Sequence, residues 1–285
     1  VNSKKLSLAR STGKFINQEI IVSNSTIPTN RIKEALRAGK SVIGTMVAEI
    51  RQPVVMQLLA NAGFDFVIID NEHGPFSIET IADLSRAAVH LGLTPIVRIP
   101  ELTYTHIAQS LDSGAQGIMA PRISTAAQVR EVLQMMKYPP LGIRGSALSR
   151  GYTQFKGGPV SEVMATVNQE TMLFVQIEMR GAVENIEEIA AVPGVDVTLI
   201  GPNDLSIALE APGQQNHPTV QAAIQKMIEA CGRHGVYPAI HMNDLSLAVH
   251  WAKQGMRLVS SNSETGFLVK TGTEVTKAIA EAMGR

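Results

Sequence analysis

From residue 42 onward the chain repeats one pattern: a short run rich in Val and Ile with no clean apolar/polar alternation, then a turn, then a stretch with helical spacing. Runs of that kind are what strands buried on both faces look like, so a sheet built from them has to be covered by helices on each side. The spacing predicts strands over 42–48, 64–70, 94–99, 117–122, 172–178, 195–201, 236–242 and 256–262. Helical spacing is visible at Ile78–Leu91, Ala126–Met136, Val183–Ala191, Val220–Cys231 and Leu245–Ala252, with helix-start signals at Ser77, Ser124 and Asn243. Eight βα units in about 240 residues match an α/β fold of the (β/α)8 barrel type in size and order. A doubly wound sheet would show fewer strands and a Gly-rich dinucleotide fingerprint, and neither GxGxxG nor a GxxxxGK phosphate loop is present.

With 45% apolar residues in 285, the chain can fill one large core, and the predicted division is an N-terminal extension over 1–28 and a single barrel over 29–285. The extension is Ser-rich and basic (Lys4, Lys5, Arg10, Lys14), weakly like a transit peptide, and is read as a poorly ordered or loosely docked tail. Twenty-five basic residues balance 25 acidic ones without a like-charged block, which argues against a nucleic-acid partner and for a small-molecule ligand. No apolar run reaches the roughly 18 residues that span a bilayer, so no membrane partner is expected. A single cysteine, Cys231, allows no internal disulfide and points to a reducing, cytoplasmic setting. Residues 137–171 are predicted as one long connection, serving as a flap over the site or an interface element.

If the strands close into a barrel, their C-terminal ends gather Asp70, Glu72, His73, Arg98, Arg122, Gln176, Glu178, Asn203, Asp204 and His241 at one mouth, the end where such barrels do their chemistry. Glu178 and Asp204 each follow a strongly apolar run on neighbouring strands. They suit either ion pairs with Arg180 or Arg98, or ligation of a divalent cation, and oxygen-only ligands favour Mg²⁺ or Mn²⁺ over Zn²⁺. Two protein ligands leave room for the carboxylate and keto oxygens of a 2-oxo acid. Arg98, closing an apolar strand, offers a planar fork for the oxo acid and for developing enolate charge. His73 is either a structural loop histidine or a general base; its neighbours favour the base, with one of Asp70 and Glu72 orienting it and the other holding metal-bound water. His241, alone on its strand, either lines the pocket inertly or acts. Lys40, Lys137, Lys156, Lys226, Lys253, Lys270 and Lys277 all fall in helices, turns or the long connection, so a Schiff-base aldolase is not expected and a metal must supply the electron sink.

Six ordered motifs make the chain resemble the HpcH/HpaI family of class II pyruvate aldolases from about residue 30 to the C-terminus. They are Phe64-Asp65-Phe66 leading to Asp70-Asn71-Glu72-His73-Gly74-Pro75, Pro95-Ile96-Val97-Arg98, Leu111-Asp112-Ser113-Gly114-Ala115, Tyr138-Pro139-Pro140-Leu141-Gly142-Ile143-Arg144-Gly145, Val175-Gln176-Ile177-Glu178, and Ile200-Gly201-Pro202-Asn203-Asp204-Leu205-Ser206. The resemblance implies Glu178 and Asp204 as metal ligands, Arg98 as the enolate clamp, His73 as base and Gln176 as a contact to the oxo acid. Amides around Asn203 and Asp204 would hold its carboxylate. Asp112 would partner the histidine of a neighbouring subunit, and the assembly would be a hexamer, a trimer of dimers exchanging the last helix over 270–283. The sequence departs from the family at His241, Arg122, Met46 and Ser260–Gly266, around the aldehyde side or floor of the pocket. The expected reaction is cleavage of a 4-hydroxy-2-oxo acid to pyruvate and an aldehyde through a metal-bound pyruvate enolate. Oxaloacetate decarboxylation, a CoA-ester lyase and a non-catalytic oxo-acid-binding protein stay open as alternatives.

Overall fold

The computed structural model describes residues 27–285, so the predicted extension over 1–28 lies almost wholly outside the described residues. Eight parallel strands, β1 (Val42–Val47), β2 (Phe66–Asp70), β3 (Thr94–Arg98), β4 (Gly117–Ala120), β5 (Met172–Ile177), β6 (Val197–Ile200), β7 (Tyr237–Met242) and β8 (Leu258–Ser263), pair in sequence order and close into a barrel. The predicted (β/α)8 architecture is therefore the one observed, with each strand within three residues of its expected bounds at either end.

The missing alternation in the strand sequences has a direct cause. All five residues of β2 are buried. Phe66 and Ile68 turn inward to a cluster with Ile96, Met119, Phe174 and Leu199 that fills the barrel. Val67 and Ile69 turn outward against the helix layer, where they meet residues such as Leu84, Val97 and Ile107. Both faces are apolar because both are covered. Around the sheet lie α1 (Arg31–Arg37), α2 (Val54–Asn61), α3 (Ile78–His90), α4 (Tyr104–Ser113), α5 (Ala126–Met136), α6 (Val160–Glu170), α7 (Arg180–Glu184), α8 (Ile186–Ala190), α9 (Pro202–Ala208), α10 (Pro218–His234), α11 (Leu245–Lys253) and α12 (Glu264–Ala282).

Several local expectations shift. α5 is capped by Thr125 rather than Ser124, because Gln128 reaches back and completes a reciprocal capping box. Asp244, not Asn243, caps α11, accepting from Leu247 N–H at 3.0 Å. The single helix expected over Val183–Ala191 is two short ones, α7 and α8, broken at Asn185, whose side chain donates to Ser124 O at 2.9 Å. The connection 137–171 is not one loop, since it contains a 3-10 turn at Gly151–Thr153 and α6. Nor does it cover its own barrel's mouth: Arg144 pairs with Asp112 in the last turn of α4 at 2.5 Å, Gly145 N–H donates to Tyr104 Oη at 2.8 Å, and Arg86 of α3 lies over Phe155.

Lys137 departs from the expectation for the lysines. It is buried, and burial pushes its ammonium down to about 8, as in a Schiff-base lysine. It lies at the wrong end of the barrel: its Nζ donates to Asn168 O, Thr171 O and Thr171 Oγ1, each at 2.8 Å, just before β5 begins. All three N–H groups are used there, so the amine is a structural post at the N-terminal end of the strands.

Candidate active site

The mouth is organised by two charged groups in register on neighbouring strands. Asp70 ends β2 and Arg98 ends β3, directly opposite each other. Arg98 Nε donates to Asp70 Oδ1 at 2.8 Å and Nη2 to Oδ2 at 2.6 Å, a bidentate pair in which both side chains are buried. Burial alone would raise the Asp70 carboxyl, but the hydrogen bonds and charge of Arg98 outweigh it and hold the group below the ordinary aspartate range. Asp70 Oδ1 also accepts from the backbone N–H groups of Glu72 at 3.0 Å and His73 at 3.3 Å. One carboxylate thus locks the arginine and shapes the turn that carries the histidine. Gly74 closes that turn because a Cβ there would collide with the carbonyl oxygens of Asp70 and Ala48.

Glu72 and Asp70 do not orient the His73 imidazole, as the sequence suggests. Glu72 instead faces Arg98 Nη1 at 3.4 Å and Arg122 Nε at 3.0 Å, tying β2, β3 and β4 together. His73 is exposed at the rim of the cavity, held only through its backbone. Asp112 sits in the last turn of α4, paired with Arg144, and this chain does not bring it to His73.

Glu178 and Asp204 are not taken by the arginines that an ion-pair reading needs. Arg180 bonds Glu210 and Arg98 is committed to Asp70 and Glu72. Glu178, buried just beyond β5, has Oε1 on the Arg122 backbone N–H at 2.7 Å and Oε2 on Gln176 Nε2. Burial raises its pKa; the Arg122 hydrogen bond opposes this, and the neighbouring charges of Glu72 and Asp204 raise it further. Holding that amide costs Arg122 a left-handed backbone (φ 55). Asp204 is exposed in the first turn of α9, facing the same cavity. No side chain caps α9, and Pro202 has no N–H, so the amides of Asn203 and Asp204 are the uncapped donors of this helix start. Gly201 permits the close fit: a Cβ would come within 2.9 Å of Gln176 Nε2 and 3.2 Å of Glu178 Oε2.

A cation fits this arrangement. Among the described residues no group of three or more His, Cys, Asp or Glu is placed to hold a metal, and the two acids at this mouth outside an ion pair are Glu178 and Asp204. Their charge is unbalanced, both are oxygen donors, and the buried Gln176 Oε1 beside them has no hydrogen-bond partner. The cavity, about 240 Å³, is otherwise lined by Met46, Met119 and Leu199, with His241 and Asn243 on the far wall. A second, more apolar cavity between α3, α4 and residues 151–155 lies at the other end of the strands and shares no residue with this one.

The HpcH/HpaI aldolase/citrate lyase family model matches residues 46–270. The chain belongs to that family. It is 34% identical over 251 residues to a hydroxypyruvate/pyruvate aldolase of Pseudomonas aeruginosa, covering 87% of this chain and 92% of the relative. It is 34% identical over 243 residues to the 4-hydroxy-2-oxo-heptane-1,7-dioate aldolase of Escherichia coli, covering 85% and 91%. The crystal structure of an HpcH/HpaI aldolase from Desulfitobacterium hafniense superposes with a TM-score of 0.84 at 35% identity, over 87% of this chain and 96% of that one. The protein is thus an enzyme, a carbon–carbon lyase of the pyruvate aldolase class.

Two parts of the site were not assigned from sequence. Glu72, expected either to orient His73 or to hold metal-bound water, instead links two arginines. Glu264, the first residue of α12, is buried and accepts from the N–H groups of Ala48, Glu49 and Ile50 at 2.7–3.0 Å, pinning the β1–α2 loop beside the mouth. The only signal for it is an acid directly after a Ser that can cap a helix, at Ser263-Glu264.

Proposed function

We propose that this enzyme is a divalent-metal-dependent aldolase that cleaves a 4-hydroxy-2-oxo acid to pyruvate and an aldehyde. The observation that carries the reading is Glu178, a carboxylate whose pKa is raised by burial first and then by the charges of Glu72 and Asp204, with no arginine in ion-pair contact, beside an Arg98 held in place by Asp70. Glu178 and Asp204 would hold Mg²⁺ or Mn²⁺, which when bound supplies Lewis-acid polarisation of the keto oxygen. Arg98 keeps Nε and Nη2 on Asp70, and Nη1, which faces Glu72 at the longer distance of 3.4 Å, would turn to the keto oxygen, where it offsets the negative charge that grows as the bond breaks. The free amides at Asn203 and Asp204 receive the substrate carboxylate. Gln176, next to them, contributes its unpaired Oε1 or, by turning its amide, an N–H.

His73, exposed at the rim, takes the proton of the C4 hydroxyl directly or through one water. The O–H electron pair becomes the aldehyde carbonyl, the C3–C4 bond breaks, and its pair passes into the oxo acid as an enolate. Protonation at C3 then releases pyruvate. Asp112 lies in the last turn of α4 and bonds Arg144, so a part for it beside His73 requires a second copy of the chain. The exposed apolar residues of α12 (Leu268, Val269, Val275, Ile279) and of α2 and α11 (Val54, Leu58, Leu245, Val249) support a homo-oligomer that exchanges this helix, a hexamer in the reading above. Among the described residues no helix is long and apolar enough to cross a membrane. With Cys231 buried and unpaired, a cytoplasmic setting suits the chain.

The test is release of pyruvate from 4-hydroxy-2-oxoheptanedioate and, separately, from oxaloacetate, with Mg²⁺, with Mn²⁺ and after EDTA. Metal-restored turnover of the hydroxy-oxo acid is expected. Pyruvate from oxaloacetate alone would replace the aldolase reading with decarboxylation.

A further inference from the structure

The cavity between α3, α4 and residues 151–155, about 160 Å³, is walled mainly by apolar side chains, Val89, Leu111, Val167 and Tyr152 among them. One cation is set into that wall. Arg144 is 2% exposed; its Nη2 reaches Asp112 Oδ1 at 2.5 Å, and its guanidinium carbon lies 4.8 Å from the Tyr138 ring centre and 5.2 Å from that of Tyr152. These contacts fix the group without using it up: Nε and Nη1 are buried and have no hydrogen-bond partner. A guanidinium stays charged at any working pH, so two buried donors left idle forfeit hydration that the protein does not return. Holding Asp112 does not require that loss, because an arginine nearer the surface would keep the pair and hydrate its remaining N–H groups.

The charged groups of the lining set the sign of what enters. They are Arg86, Arg144 and Glu170, with His90 counted as neutral, so two positive charges stand against one negative. The partners of the two arginines, Asp83 and Asp112, lie outside the lining. Glu170 opposes an anion, but its Oε2 is already engaged by the Asn30 N–H at 2.6 Å. An ionised oxygen makes the stronger bond to a guanidinium, so a carboxylate suits Arg144 better than an amide or a hydroxyl. Volume sets the rest: a dry apolar cavity of about 150 Å³ takes a benzene ring.

We propose that this cavity binds a small monocarboxylate with a compact apolar body, an aryl carboxylate by size, whose oxygen accepts from an unused N–H of Arg144 while its body lies against Val89, Leu111 and Val167. The site shares no residue with the mouth, so the inference stands apart from the aldolase reading. A bound carboxylate shares the guanidinium with Asp112, which ties occupancy here to the last turn of α4.

Calorimetric titration of the full chain with benzoate tests this, with benzamide as the uncharged control and acetate as the control without an apolar body. Benzoate is expected to fill one site per chain with a Kd on the order of 0.1 mM, and both controls to bind at least about tenfold more weakly. Val89→Phe puts a ring into the cavity from α3, and Arg144→Met keeps the stem and removes the charge. Each should abolish the binding, with the fold checked by circular dichroism, and if one variant fails to fold the other decides. Binding at the mouth instead would survive Val89→Phe. Equal benzoate binding by wild type and a folded variant, or no saturable binding up to about 10 mM, would overturn the proposal. Benzamide binding as tightly as benzoate would overturn the choice of a carboxylate.

Discussion

Replacing Glu178 by Gln separates the chemical use of this carboxylate from its place in the fold. The charged form is buried, with Glu72 and Asp204 as like-charged neighbours, while the Arg122 backbone N–H, the Gln176 amide and the more distant charge of Arg98 favour it. Gln keeps the shape and an acceptor for Arg122 N–H. Its new amide group would meet Gln176 Nε2, donor against donor, unless Gln176 turns over; that turn is open because Gln176 Oε1 has no partner to lose. The metal-free variant therefore sheds a desolvated, repelled charge and keeps its hydrogen bonds. Its stability is expected to stay level or rise by on the order of 1 kcal/mol, about 2–4 °C in melting temperature for a chain this size. Mg²⁺ should no longer raise that temperature, and kcat/KM for retro-aldol cleavage is expected to fall about 1,000-fold, roughly 4 kcal/mol of lost transition-state stabilisation. Differential scanning fluorimetry with and without Mg²⁺, run beside the cleavage assay, reads both effects. A variant melting 10 °C lower would show that Glu178 is a structural carboxylate and refute the argument from charge imbalance, as would undiminished turnover.

Two other outcomes follow from the same geometry. Glu178 has a raised pKa in the metal-free fold, so its proton is held more tightly folded than unfolded: the group favours the metal-free fold at low pH and loses that contribution as pH rises through the raised value. A cation needs the ionised form, so Mg²⁺ affinity measured by calorimetry should fall on acidification starting above the ordinary glutamate value of 4.5, and flat affinity down to that value would contradict the assignment. Among the described residues of α12 Glu264 alone is buried within the chain, so deleting 268–285 should leave a folded barrel by circular dichroism while light scattering falls to the monomer mass; an unchanged mass would exclude helix exchange.

The eight strands are legible in the sequence because burial on both faces removes polar residues from them, and that depletion survives in any single chain. Phe66–Asp70 is buried at every position and reads as a strand without reference to anything else. The acids of the candidate site are legible as a cluster for a related reason, since a charge at the end of such a run has few structural excuses. Illegible from sequence is who pairs with whom. Asp70 and Glu72 sit two residues apart at one strand end, yet one grips Arg98 in a bidentate pair and the other spans to Arg122, fifty residues away. Those partners are set by the β2–β3 register and by the left-handed turn at Arg122, and neither is written locally. Lys137 shows the converse error: its sequence position in a connection hides a buried amine, because burial there comes from Tyr138, Asn168 and Thr171 closing over it.

What distinguishes the working carboxylates here is therefore partnership. Asp70, Glu72, Glu178 and Asp204 all stand at the same end of one barrel. Arg98 and Arg122 supply two positive charges against four negative ones, and both face the β2 pair. Distributed evenly, the arginines would have quieted all four acids and produced a stable, inert rim. Paired with β2, they make the Asp70–Arg98 pair rigid and form no ion pair with the β5 and β6 acids, and burial, with the charges of Glu72 and Asp204 behind it, raises the pKa of Glu178. On the proposed reading, the cost of ionising Glu178 is borne by the metal-free fold and would be relieved by a cation held by Glu178 and Asp204, so what weakens the metal-free site would be the source of its affinity.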